Sequence, residues 1–261
     1  MTGRRFIAVA LAALGLAGVA VAELPSGITR PANEAGLSSR ELGAQLYAAN
    51  CATCHGIAGE GVPQPRKGAG NVSGQGPSLK NAGALAADLY LRTGMMPLGN
   101  PHSQPWRRKV EFTKRELAAL TSYVASLGNG PPVPHPDPAA GSVAEGLHLF
   151  TDHCAGCHQV VAEGGYVTDA RVPAIKKDTP VQIAEAVRSG PYLMPQFSSK
   201  AISDRQLNSI IAYLQQAKTP DDIGGWGIGH IGPVPEGMVA WLIAGVALIA
   251  MCAVLGARLR A

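Results

Sequence analysis

Two pentapeptides carry most of the chemistry open to this chain: Cys51-Ala-Thr-Cys54-His55 and Cys154-Ala-Gly-Cys157-His158. In each, two thiols spaced by two residues can form thioethers to the vinyl groups of a porphyrin. The adjoining imidazole can then ligate the iron from the proximal face. The pattern predicts two covalently attached haem c groups, bound through Cys51, Cys54, Cys154 and Cys157, with His55 and His158 as iron ligands. A four-thiolate zinc site would place its Cys pairs much closer in sequence and give the His residues no role. A disulfide across two residues belongs to redox oxidoreductases more than to structural staples. Cys252 falls inside an apolar C-terminal run and reads as a small packing residue.

A haem held by His on one side needs a second ligand or an open position on the other. Arg92-Thr93-Gly94-Met95-Met96-Pro97 parallels Arg188-Ser189-Gly190-Pro191-Tyr192-Leu193-Met194-Pro195, with two extra residues in the second copy. A thioether on a loop pinned by Gly and Pro suits a His/Met-ligated haem, whose ferrous state the soft sulfur favours. Met96 and Met194, each directly before Pro, are the predicted distal ligands; Met95 is the alternative at the first site. His102, His135, His148, His153 and His230 read as ordinary surface or loop residues.

The elements that must position these groups also occur twice. Ser38-x-x-Glu41 and Ser142-x-x-Glu145 predict capping boxes that open a helix ahead of each Cys pair. Gly43 and Tyr47 precede Cys51 at the intervals by which Gly146 and Phe150 precede Cys154. Such a Gly lets another helix approach closely. The other helix should be the one opened by Thr113-x-x-Glu116, with Leu117, Leu120, Tyr123, Val124 and Leu127 on one face. Its counterpart follows Ser203-x-x-Gln206 and carries Leu207, Ile210, Tyr213 and Leu214. Between each Cys pair and its Met loop lie Pro77-Ser78-Leu79 and Pro173-Ala174-Ile175. The Pro carbonyls are candidates to accept the proton of the axial imidazole.

The fold class expected is mostly α: two tandem class I cytochrome c domains plus a C-terminal transmembrane helix. The domains should span residues 38–130 and 142–218, joined by a Pro-rich linker, 131–141, acting as a semi-rigid spacer. Residues 56–76 form a Gly-rich loop over the first haem. Residues 1–22, with Arg4 and Arg5 before an apolar run and Ala20-Val21-Ala22 at its end, read as a signal peptide or a retained N-terminal anchor. Residues 238–257 lack acidic side chains and precede Arg258 and Arg260, which predicts a membrane span with its tail in the cytoplasm and the haem domains outside. Residues 23–136 hold 11 basic and 7 acidic residues and residues 137–237 hold 7 and 11, so the halves carry +4 and −4. Unlike fields suit unlike docking partners, and Asp221 and Asp222 are candidates for the output side. Nucleic-acid binding finds no support in a near-neutral exported domain.

Two cytochrome c domains followed by Gly224-Gly225-Trp226-Gly227-Ile228-Gly229, then Gly232-Pro233-Val234-Pro235-Glu236-Gly237-Met238 and a membrane helix, resemble one family throughout nearly the whole chain. It is the dihaem cytochrome c subunit of the actinobacterial cytochrome bcc complex, a menaquinol–cytochrome c reductase. The resemblance implies a cytochrome b subunit and a Rieske iron–sulfur subunit as partners, with a terminal oxidase as acceptor. The first haem would receive and the second donate, with no catalytic site beyond the haems. A dihaem carrier serving a dehydrogenase or another oxidase is the alternative. A dihaem peroxidase would need a displaceable iron ligand, against which both Met candidates speak.

Overall fold

The structure is a computed structural model that describes residues 27–61, 76–100, 103–219 and 233–260. Residues 1–22, expected as a signal peptide or N-terminal anchor, the middle of the 56–76 loop, His102, Asp221, Asp222, Gly224 to Gly229 and His230 lie outside the described residues.

The first half begins with α1 (Ser39–Asn50), followed by the single turn α2 (Ala52–His55), α3 (Gly83–Arg92) and α4 (Lys114–Ala125). The second half repeats this with α5 (Val143–His153), α6 (Ala155–His158), α7 (Pro180–Ser189) and α8 (Asp204–Lys218). It adds a short antiparallel hairpin, β1 (Gly165–Val167) and β2 (Ala170–Val172), with Tyr166 opposite Arg171. Each half has its own apolar cluster. The first joins Leu42, Leu46, Tyr47, Leu117, Leu120 and Val124, and the second Phe150, Ile183, Leu207, Ile210, Tyr213 and Leu214. The faces expected from helical periodicity are the faces buried.

Both helix crossings lie at the expected glycines. A Cβ on Gly43 would meet the Ala119 carbonyl and stand 2.9 Å from the Tyr123 Cβ. One on Gly146 would meet the Ser209 carbonyl and stand 2.9 Å from the Tyr213 Cβ. With the backbones so close, the aromatics stack beside each crossing, Tyr47 on Tyr123 at 5.1 Å and Phe150 on Tyr213 at 5.4 Å between centroids. One hydroxyl in each half then ties the crossing to the chain beyond the Cys pair. Tyr47 donates to the Gly56 carbonyl at 2.7 Å, and Tyr213 to the Val160 carbonyl at 2.6 Å.

The boxes at Ser38/Glu41, Thr113/Glu116 and Ser203/Gln206 close reciprocally, as does one at Thr179/Gln182 that the sequence reading had not singled out. Ser142 caps α5, but its box is half formed. Glu145 turns instead to a bidentate pair with Arg205, at 2.7 and 2.8 Å, and accepts from Ser209 at 2.8 Å. A two-bond fork between charged partners outweighs a single bond from a backbone N–H to the carboxylate. Glu116 serves two purposes: fully buried, it caps α4 and takes Arg30 at 2.6 Å, and these partners pull its carboxyl below the ordinary range against the opposing effect of burial.

The two halves are docked directly, so the Pro-rich stretch is not what fixes their separation. Helix α3 packs on α7. Arg107 reaches Asp178 at 2.6 Å. The Arg171 guanidinium lies 4.0 Å from the centre of the Trp106 ring. The Gln104 amide takes both backbone groups of Arg171, accepting from its N–H at 3.0 Å and donating to its carbonyl at 2.7 Å. The stretch itself is held at both ends, the Pro131 carbonyl by the Leu85 N–H and the Asp137 N–H by Asn208.

Helix α9 (Pro233–Arg260) starts five residues before the expected span, so Pro233 to Glu236 form its first turn. Proline's fixed φ suits the first helical positions and an acidic residue suits the positive end of the dipole. It is long and apolar enough to cross a membrane, and none of its spanning window is buried against the rest of the chain. Trp241, Leu242 and Ile249 stand exposed along it.

Candidate haem sites

Each Cys pair straddles the end of one helix and the start of a single turn. Cys51 closes α1 by donating its N–H to the Tyr47 carbonyl, and the next turn is held by the N–H groups of Cys54 and His55 on the Cys51 carbonyl. Cys154, Cys157 and His158 repeat these bonds. The short turn places both sulfurs and the imidazole on the wall of one cleft, which a longer straight helix would not do.

The first cleft, of about 400 Å³, is lined by Cys51, Cys54, His55, Pro77, Tyr90, Met96 and Pro97 among others. The second, of about 200 Å³, includes Cys154, Cys157, His158, Pro173, Met194 and Pro195 in its wall. All eight residues singled out in the sequence thus fall into two sets of four. Met95, the alternative at the first site, turns into the second cleft, so the first retains Met96. His153 also lines the second cleft, beside the Phe197 ring.

The imidazoles are oriented as expected from the Pro positions. His55 Nδ1 lies 2.8 Å from the Pro77 carbonyl and His158 Nδ1 3.1 Å from that of Pro173. A carbonyl can only accept, so Nδ1 carries the proton and Nε2 keeps its lone pair. Burial holds both rings below the usual His range, with the Pro carbonyls opposing, so both are neutral at pH 7. A neutral imidazole with a free Nε2 and a fixed tautomer is the form that binds iron.

The Met loops are pinned by backbone bonds. Gly190 adopts φ +62, which ends α7 and reverses the chain. Arg188 then donates to the Phe197 and Ile202 carbonyls at 3.0 and 2.8 Å, fixing the far side of the loop. In the first half the Met96 N–H donates to the Tyr90 carbonyl at 3.1 Å. Arg92, the counterpart of Arg188, is drawn to Asp88 on its own helix at 2.6 Å.

The donor sets fit a covalent haem and not the rival cofactors. Burial and the neighbouring Cys push the Cys51 and Cys154 thiols up to about 11, the reverse of the depressed values that mark disulfide-exchange sites. Among the described residues no group of three or more His, Cys, Asp or Glu side chains is arranged to hold a bare metal ion. The walls are mainly apolar, with Leu79, Leu91, Phe112 and Leu120 in one and Phe150, Ile183, Val187 and Phe197 in the other, while Arg107, Arg171 and Asp178 also line the second.

Sequence reasoning missed the residues that line both clefts, Tyr192 and Pro105, and the buried carboxyls Asp88 and Glu185 where α3 packs on α7. The two-residue insertion before Leu193 was the available signal for Tyr192.

Residues 40–128 match the cytochrome c family, and residues 141–214 match the family described as cytochrome c oxidase, cbb3-type, subunit III. Cytochrome c domains carry covalently bound haem c. Among curated proteins, the cytochrome bc1 complex cytochrome c subunit of Corynebacterium diphtheriae is 31% identical over 98% of this chain and 95% of its own length. That of Mycobacterium bovis is 32% identical over 99% and 91%. That of Mycobacterium leprae is 31% identical over 92% and 83%. With similarity running through both haem domains and the apolar C-terminal helix, the chain belongs to the family of actinobacterial cytochrome bc1 complex cytochrome c subunits.

Proposed function

We propose that this protein is a membrane-anchored dihaem c relay within a quinol–cytochrome c reductase complex. One haem is attached through Cys51 and Cys54, with His55 and Met96 as ligands; the other through Cys154 and Cys157, with His158 and Met194. The carrying observation is the sorting of the eight side chains into two clefts, each with an imidazole whose Nδ1 faces a Pro carbonyl. When bound, each haem supplies a one-electron couple. The chain supplies the rest: Pro77 and Pro173 hold the Nδ1 protons, the pinned loops offer the sulfurs, and apolar walls keep water from the metal and favour the ferrous state.

The Rieske iron–sulfur subunit is the donor to the first haem and a terminal oxidase the acceptor from the second, with cytochrome b completing the complex. The chain has no catalytic site of its own beyond the haems. Its haem domains lie outside the cell membrane, with Arg258 and Arg260 on the cytoplasmic side. Family membership supports the partners, and charges of +4 and −4 on the two halves support unlike docking faces. Purification from native membranes in mild detergent tests this directly. Two haems per chain should be found, together with a b-type cytochrome and a Rieske protein. A chain that purifies with neither partner would favour the carrier reading, and one haem per chain would refute the site assignment.

A further inference from the structure

The loops bearing Met96 and Met194 differ by Pro191-Tyr192, present in the second copy alone. Of these, Tyr192 stands at the junction of the two clefts. Tyr192 lines both, and among the described lining residues it shares that property only with Pro105. The exchange around it is reciprocal: Leu89 and Met95 of the first half reach the second cleft, and Ser189 and Tyr192 of the second half reach the first. The Tyr192 backbone sits at φ +58, a region that side chains other than glycine enter at a cost. Its hydroxyl donates to the Asp169 carbonyl at 3.2 Å, anchoring the ring to the β-hairpin turn. A strained aromatic residue at the meeting point of two clefts is where a functional constraint is expected.

We propose that Tyr192 is the partition across which the two haem sites meet, and that its ring sets the electronic contact between them. The proposal rests on the reading that both clefts hold haem c. The step is a single-electron transfer. A one-electron reductant reduces the first site; that site is then oxidised by one electron as the second is reduced by one. No bond forms or breaks. The phenol keeps its proton, which it donates in a hydrogen bond to the Asp169 carbonyl, and is not itself oxidised, because the ring serves as packed medium in place of water or a void. The insertion in the second loop alone follows from this geometry, since one ring fills one gap.

The test uses the full dihaem chain in detergent with Tyr192→Phe, Tyr192→Gly and Tyr192→Asn. Gly and Asn both accept a positive φ, so either removes the ring without new backbone strain. Two readouts are followed: the bisignate Soret circular dichroism of two haems in close contact, and the redistribution of electrons between haems after a pulse of less than one reducing equivalent. The Phe variant should match the wild type in both. The Gly and Asn variants should slow the redistribution phase while keeping two haems per chain, the wild-type melting temperature and the bisignate signal, which depends on haem distance and orientation and not on the medium between them. Wild-type redistribution in both ring-less variants would overturn the role of Tyr192. Fewer than two haems in the wild type would instead overturn the haem reading beneath it.

Discussion

Replacing Glu185 with Gln should stabilise the protein in alkaline solution and leave it unchanged in acid. Glu185 is fully buried on α7 where it meets α3, and its polar neighbour there is the Asp88 carboxyl. Burial, then the charge of Asp88 across the interface and the hydrogen bond that a protonated Glu185 donates to it, push its carboxyl up from 4.5 to about 8, with Arg92 opposing. Asp88 itself is held by Arg92 at 2.6 Å and by the Thr121 hydroxyl at 3.4 Å. The unfolded chain releases the Glu185 proton near 4.5 and the folded chain near 8. Between those values the native state binds more protons, so stability falls as pH rises and the full penalty stands above about 8. At about 1.4 kcal/mol for each pH unit, the ceiling is roughly 5 kcal/mol. For a protein of this size that is a difference of roughly 10–20 °C in Tm. Thermal unfolding of the wild type and Glu185→Gln at intervals from pH 5 to pH 9 reads it out. The difference should be small at pH 5, grow by about 1.4 kcal/mol for each pH unit up to about pH 8, and level off above it. Asp178, which burial pushes up to about 6, titrates in both proteins and cancels in the difference. Parallel curves across the range would refute the reasoning.

Gly146→Ala should cost about 1–3 kcal/mol through overpacking at the α5–α8 crossing, seen as a lower Tm and poorer haem loading of the second site. Arg107→Ala leaves Asp178 buried and uncompensated and should destabilise by about 3–5 kcal/mol, whereas the Arg107→Ala/Asp178→Asn pair recovers most of the loss in denaturant unfolding. Met96→His should lower one of the two midpoint potentials in a redox titration and leave the other in place, because imidazole favours the ferrous state less than a thioether does.

The local machinery was legible because it is local. Each C-x-x-C-H sits four residues after an aromatic and eight after a Gly, and that spacing alone places the helix crossing. The Pro carbonyls were predictable as imidazole partners because the same tripeptide position recurs behind both Cys pairs. What could not be read was the docking of one half on the other. Gln104, Trp106 and Arg107 fall in a stretch without periodicity, and nothing nearby in sequence marks Arg171 or Asp178 as their partners. Asp88 and Glu185 look like solvent-facing positions of amphipathic helices until α3 and α7 are packed together. Glu145 shows the converse: a good local capping motif loses half its bonds to Arg205, sixty residues away.

The Gln104 amide on Arg171 has a consequence for how the protein keeps its own company. Strand β2 is the outer strand of a two-stranded ribbon, and the Arg171 N–H and C=O point away from β1. An open strand edge of this kind is a template for pairing with another chain. Gln104 offers one donor and one acceptor at peptide-like spacing, so a single side chain stands in for the missing neighbouring strand. The same two bonds that dock the halves also blunt the exposed ribbon, and a chain whose halves came apart would lose its docking and its protection against self-association together.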